Sequence, residues 1–252
     1  MIEISGLTKH YGRFTAVDGI SLAIPAGEVF GFLGPNGAGK TTTFRMIAGI
    51  LQPSAGSIRI AGISLDKHPT EAKSRLGFIP DRPFVYDKLT GTEFLRFVAA
   101  LYGQTGALIE RRIGELLELF ELTRWKDELT EAYSHGMRQK LIISSALVHR
   151  PEVIVVDEPM VGLDPKSARL LKQILREFVD RGGTVLMSTH SLEVAEAMCD
   201  RIAIIQNGRI AAEGTMDELR TQTSSGDASL EDLFLKLTGG LSERELSDLF
   251  ER

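Results

Sequence analysis

Short β-rich runs alternate with turns over residues 1–33: Ile2-Glu3-Ile4, Ile20-Ser21-Leu22-Ala23-Ile24, the turn Pro25-Ala26-Gly27, and Val29-Phe30-Gly31-Phe32-Leu33. The last run is apolar on both faces, which is the pattern of a strand buried in a parallel sheet. It enters a glycine-rich turn, after which Thr41 to Leu51 reads as a helix. Pro53 to Gly56 then predicts a turn and Ser57-Ile58-Arg59-Ile60 another strand.

From about Phe84 to Arg150 the period becomes helical. Thr92 is placed to cap a segment through Phe94, Leu95, Val98 and Leu101, and Ile109, Ile113, Leu116, Leu117 and Phe120 recur at helical spacing. Ser134 is placed to cap a third helix through Leu141, Ile142, Ala146 and Leu147, which Pro151 ends. Strands return at Val153 to Val156, Val185 to Ser188 and Ile202 to Ile205, separated by helices over about Pro165 to Arg181 and Leu192 to Met198. Strands and helices alternating around a helical block predict an α/β parallel-sheet core with an inserted helical subdomain. The tail from Thr221 is polar at first, then amphipathic over Leu230 to Leu237 and Leu241 to Phe250. Residues 1–220 are expected to form one unit, with the helical insert at about 84–150 and a tail over 221–252.

Composition narrows the classes. With 252 residues, 43% of them hydrophobic, and a net charge of −5, the chain can bury a real core. A net acidic chain without a basic block is a poor candidate for nonspecific nucleic-acid binding, so no nucleic-acid partner is expected. Cys199 is the only cysteine, which excludes an internal disulfide and reads most simply as a small buried hydrophobe. The greasy runs are strand-sized, well short of the roughly 18 apolar residues of a membrane span, and no signal-peptide pattern opens the chain. A soluble, intracellular protein is expected, with any membrane role supplied by a partner.

The sharpest chemistry is Gly34-Pro35-Asn36-Gly37-Ala38-Gly39-Lys40-Thr41, a match to G-x-x-x-x-G-K-[ST] between a buried strand and a helix. Glycines let the backbone turn tightly and aim successive N–H groups inward, making an anion nest. The following helix adds its positive end. Lys40 is a cation for the terminal phosphates, and the Thr41 hydroxyl is a ligand for Mg²⁺. Thr42 completes the candidate phosphate-binding stretch. A second acidic signal, Val153-Ile154-Val155-Val156-Asp157-Glu158, ends an apolar strand in two carboxylates. Ligands of open α/β sheets bind just beyond such strand ends. Asp157 is then placed for the magnesium shell, and Glu158 to activate a water against the γ-phosphate.

With three further segments, these residues make the chain resemble the ATP-binding subunit of an ABC (ATP-binding cassette) transporter. Ser134-His135-Gly136-Met137-Arg138-Gln139 resembles the family's L-S-G-G-Q signature loop, Gly162-Leu163-Asp164-Pro165 its D-loop, and Ser188-Thr189-His190 its switch histidine. Tyr11 stands where the family places an aromatic that stacks on adenine. The resemblance covers about residues 2 to 219. It departs at Asp81, which occupies the place of the family's Q-loop glutamine and still offers an oxygen to magnesium or water. It departs again in the signature loop, where Tyr133, His135 and Met137 replace leucine, the first glycine and the glutamine.

The resemblance implies a P-loop NTPase core, mainly a parallel sheet with helices, carrying an N-terminal antiparallel β part and the helical insert. It implies ATP and Mg²⁺ as ligands, with Glu158 and His190 catalytic. It also implies that two copies close head to tail, so that Ser134 and Gly136 of one cover ATP held on Lys40 and Thr41 of the other. A separate multi-span permease would be the membrane partner, met through Asp81 and the helical block from about Phe84, with the protein peripheral on the inner face of the cell membrane. The closing stretch Ser229 to Leu237 resembles tails of members whose membrane domain is a separate chain, and leans toward export. The alternative is a soluble ATP-driven clamp or assembly factor on the same cassette. A kinase or GTPase leaves the signature loop unexplained, and no guanine-reading N-K-x-D is present.

Overall fold

A computed structural model describes residues 1–160, 162–221, 231, 234, 235 and 237. The elements follow in the order β1 (Ile2–Tyr11), β2 (Phe14–Ile24), β3 (Val29–Leu33), α1 (Lys40–Ile47), β4 (Ala55–Ile60), β5 (Ile63–Ser64), α2 (Pro69–Ser74) and β6 (Leu76–Ile79). The helical block is α3 (Gly91–Leu101), α4 (Ala107–Leu119) and α5 (His135–Leu147). Then come β7 (Val153–Asp157), α6 (Pro165–Asp180), β8 (Thr184–Thr189), α7 (Leu192–Met198), β9 (Arg201–Gln206), β10 (Arg209–Gly214) and α8 (Met216–Thr221).

Two sheets result. β2, β1, β4 and β5 form an antiparallel sheet in that order, and β10-β9-β3-β8-β7-β6 form the second. In the second, neighbours from β9 through β6 run parallel and only β10 is antiparallel. Strands β3, β7 and β8 are buried along their whole length, β3 and β7 as their apolar runs require, and β8 with buried Thr184, Ser188 and Thr189 flanking its apolar centre. Their side chains alternate between two cores. Val29, Leu33, Ile154, Val156, Val185 and Met187 pack with the helical block, α6 and α7. Phe30, Phe32, Val153, Val155 and Leu186 pack with α1 and the antiparallel sheet. The parallel sheet is therefore the wall between two apolar compartments.

Several boundaries differ from the sequence expectations, each for a local reason. The helix after β3 begins at Lys40 and stops at Ile47, short of Leu51, because Gly49 takes φ +64° and the Ile50 and Leu51 N–H groups both return to the Arg45 carbonyl. The cap of α3 is Thr90, not Thr92. The Thr90 hydroxyl accepts the Glu93 N–H while the Glu93 carboxylate accepts the Thr90 N–H, and Thr92 instead donates to the Lys126 carbonyl. Strands β6 and β10 lack the long apolar run that flagged the others. The amphipathic tail pieces lie outside the described residues apart from Glu231, Phe234, Leu235 and Leu237, of which Phe234 and Leu237 pack against the larger core.

Candidate nucleotide-binding site

Register explains why distant segments meet. Leu33 of β3 lies opposite Thr189 of β8, Ser188 opposite Asp157 of β7, and Val156 opposite Ile79 of β6. Four chain segments therefore leave one edge of the parallel sheet: Gly34 to Gly39, Asp81, Glu158 and His190. This is the edge where open α/β sheets place ligands.

The loop after β3 is pinned by close backbone approach. A Cβ on Gly34 would lie 2.4 Å from the Ile205 carbonyl oxygen, and one on Gly39 would lie 2.6 Å from the Ala16 oxygen. Gly39 also holds φ +112°, a conformation that a side chain would strain. No side chain caps the start of α1, so its first N–H groups face the loop. Lys40 is buried and folds back over the turn, donating to the carbonyls of Gly34 at 2.6 Å and Pro35 at 3.2 Å. Burial draws its ammonium below the ordinary lysine range, while Glu158 and Asp157 pull the other way.

Asp157 ends β7 almost fully buried. Burial raises its carboxyl above the ordinary range, opposed by hydrogen bonds from the Ser188 and Thr41 hydroxyls, and reinforced by the nearby Asp81 and Glu158 charges. Glu158 follows in a left-handed conformation, φ +52°, with its N–H donating to Ser188 Oγ at 3.0 Å. That turn brings its carboxylate against His190, whose Nδ1 lies 2.9 Å from Glu158 Oε2. A non-glycine residue held at positive φ is a cost that functional sites often carry.

Two adjoining clefts open here. One, of about 380 Å³, is lined by Tyr11, Asn36, Gly37, Gly39, Lys40, Thr41, Thr42, Asp81, Asp157 and Glu158, together with Phe14 and Ala16. The other, of about 560 Å³, is lined by Gly34, Pro35, Asn36, Asp81, Glu158 and His190, with Arg82, His135 and Phe234. Ala38 lies buried beneath the loop. Ser134 and Gly136 line neither cleft. Ser134 caps α5, its hydroxyl accepting the Met137 N–H at 3.3 Å, and Gly136 faces the Gly162 carbonyl.

The sequence reading passed over Phe14 and Ser188. Phe14 pairs directly with Tyr11 across the hairpin turn, and both rings are half exposed or more. An aromatic on each side of Gly12-Arg13 was the available signal. Ser188 was a hydroxyl in an otherwise apolar strand, and it holds both carboxylate positions at once. Cys199 is buried as expected, its thiol pushed up to about 12 by burial, so it is no nucleophile.

The oxygens of Thr41 and Asp157, drawn together at the head of α1, suit a hard divalent cation. Among the described residues no group of three or more His, Cys, Asp or Glu forms a ready-made metal cage. That suits an ion completed by water and phosphate oxygens. A phosphate loop, a buried strand-end carboxylate and a Glu–His pair on one sheet edge define a P-loop nucleotide-binding cassette.

The family model described as "ABC transporter" matches residues 17–161, and one described as "AAA domain, putative AbiEii toxin, Type IV TA system" matches 128–196. The chain is 43% identical over 224 residues to the daunorubicin/doxorubicin resistance ATP-binding protein DrrA of Streptomyces peucetius, covering 89% of this chain and 68% of that one. A solved ATP-binding subunit of an ABC transporter superposes with a TM-score of 0.89 at 36% identity, covering 94% of this chain and 99% of the other. A dimeric post-hydrolysis state of the ATP-binding cassette MJ0796, bound to ADP and Pi, superposes at 0.78 with 26% identity, over 85% and 98%. The chain belongs to the ABC transporter family, as an ATP-binding subunit.

Proposed function

We propose that this subunit hydrolyses ATP between two head-to-tail cassettes and thereby drives export through a separate multi-span membrane chain. One observation carries the reading: the phosphate loop, Asp157 and the Glu158–His190 pair share one edge, whereas Ser134 and Gly136 line neither cleft. A single chain then holds ATP but leaves it uncovered. The solved dimer with ADP and Pi supports pairing of related cassettes. A resistance protein among the relatives supports export, and favours the transport reading over a soluble clamp.

In this reading Tyr11 and Phe14 flank the adenine, the N–H groups of Gly34 to Thr42 cradle the phosphates, and Lys40 turns from its carbonyl partners to the terminal phosphate oxygens. Thr41 and Asp157 hold Mg²⁺, with Asp81 alongside; when bound, that ion neutralises charge developing on the phosphate oxygens. Glu158 takes a proton from water as the water oxygen bonds to the γ-phosphorus and the bond to the bridging oxygen breaks, giving ADP and phosphate. His190 keeps the Glu158 carboxylate oriented and touches the γ-phosphate. The second copy supplies Ser134 and Gly136 at the head of α5, where the helix end favours an anion. Hydrolysis frees the γ-phosphate as inorganic phosphate; its departure takes away the charge that favoured closure, and the pair opens.

Residues 1–220 act as the cassette, with the helical insert at about 84–150; the expected tail over 221–252 lies largely outside the described residues, and its Phe234 and Leu237 pack against the larger core. Among the described residues no helix is long and apolar enough to cross a membrane. In this reading a separate membrane chain holds the subunit at the inner face of the cell membrane. The docking surface lies beside Asp81. Phe84 is 73% exposed with its ring 5.7 Å from that of Tyr86, and Tyr86 lies 5.4 Å from Phe97. An aromatic cluster left in water marks an interaction site.

The test is Glu158→Gln with ATP and magnesium, followed by light scattering. We expect hydrolysis slowed about 100-fold or more and accumulation of a closed pair. A variant that stays monomeric at saturating ATP contradicts closure.

A further inference from the structure

The loop that precedes α6 and the head of α5 are bound to each other within one chain, through a side chain that the family resemblance does not supply. The imidazole of His135 lies across Gly162: a Cβ built on Gly162 would fall 2.4 Å from both its Cδ2 and its Nε2. Gly162 sits at φ +79°, so glycine is required there twice, by conformation and by the ring above it. Two further contacts flank this one. A Cβ on Gly136 would stand 3.3 Å from the Gly162 oxygen, and Lys140 Nζ stands 3.8 Å from Asp164 Oδ2. Asp164 in turn caps α6, accepting the Ser167 N–H at 3.0 Å. Three positions on α5, His135, Gly136 and Lys140, thus lie against the segment that starts α6.

We propose that His135 is a positioning residue that locks Gly162 to α5, so that Ser134 and Gly136 move together with the segment that begins at Glu158. The functional consequence rests on the paired-cassette reading above. Glu158 serves the nucleotide of its own chain, while Ser134 and Gly136 serve the nucleotide of the other. The His135–Gly162 contact therefore couples the two sites through four residues of chain and one ring. A glycine at position 135, as in the family pattern, has no ring to lay on Gly162. The contact depends on a flat ring, not on charge, so a phenyl group should serve.

Hydrogen exchange on the full chain tests the contact, and pairing tests its consequence. His135 is exposed, so its replacement does not threaten the core. His135→Ala should raise exchange of the Ser167 and Ala168 amides, both bonded to Asp164, at least tenfold, although the substitution lies on another element. His135→Phe should leave them protected, and Gly162→Ala should behave like His135→Ala because its Cβ displaces the ring. In a Glu158→Gln background, His135→Ala should weaken ATP-driven pairing about tenfold, while His135→Phe should pair as the chain with His135 does. Unchanged exchange in His135→Ala overturns the proposal. Raised exchange with unchanged pairing overturns the coupling between sites. Failure of Glu158→Gln itself to pair counts against the closure reading instead, and the exchange result then decides the contact alone.

Discussion

The sheet edge and the head of α5, the two regions proposed above to meet phosphate, are built in opposite ways. At the sheet edge, Lys40 and Asp157 are buried, their charges displaced from ordinary values by burial, and each is held by hydrogen bonds from its own chain. At the head of α5, Ser134 is exposed and its hydroxyl serves only as a cap. One region is preorganised and closed behind; the other is presented outward. Electrostatic groups act most strongly where water is excluded. The exposed loop reaches that condition only against a second surface. The contrast is the physical argument for a site shared between two chains.

Lys40→Ala breaks the preorganised side with the largest effect. A charge-assisted contact contributes about 1.5–3 kcal/mol, so ATP affinity of the single chain should fall about 10- to 100-fold by fluorescent-nucleotide titration. Undiminished affinity removes Lys40 from its role.

The far end of α5, packed against the start of β6, answers to acid. His149 closes α5, stacked on Tyr102 at 3.7 Å between ring centroids, with Nε2 bonded to the Leu76 carbonyl at 3.0 Å. Its Nδ1 is buried without a partner. Burial holds the imidazole below its ordinary value of 6.5, against a smaller opposing pull from the Leu76 carbonyl. The unfolded chain therefore binds the proton first. Stability from this group is fully present above pH 6.5 and is lost as pH falls from 6.5 toward the lower folded value. Urea midpoints at pH 7.5 and 5.5 should show this loss, and His149→Gln should flatten it. An equal slope in both chains contradicts the assignment.

The smallest effect lies within the helical block. Thr90→Ala removes the hydroxyl half of the capping box of α3, leaving the residue 90 N–H to the Glu93 carboxylate, and should cost about 1 kcal/mol of stability. Thermal unfolding measures it, and ATP affinity of the single chain should not change.

The sequence made the sheet edge more legible than the surfaces around it. Apolar runs at β3, β7 and β8 announced buried strands, and the residues that follow each run are the ones the register gathers. β6 is only four residues long and β10 mixes polar with apolar positions, and each lies at an edge of the sheet, where one side lacks a neighbour and the pattern weakens. Thr92 and Thr90 are alike as letters. Only the reciprocal bonds with Glu93 pick out the cap. Phe14 was legible only as the second aromatic beside Gly12-Arg13, and the contact of Gly162 with His135 was not legible at all, because it joins two segments 27 residues apart.

The shared site is tested most directly by mixing two defective chains. Lys40→Ala keeps an intact signature loop but cannot hold ATP firmly. Ser134→Asp keeps the cap, since aspartate caps as well as serine, but sets a negative charge against the γ-phosphate of the other copy. Each alone should hydrolyse ATP poorly. Their mixture forms pairs in which the Ser134→Asp chain holds ATP and the Lys40→Ala chain covers it, so hydrolysis should rise well above that of either variant alone. A mixture no more active than the average of its two components contradicts a site built from two chains.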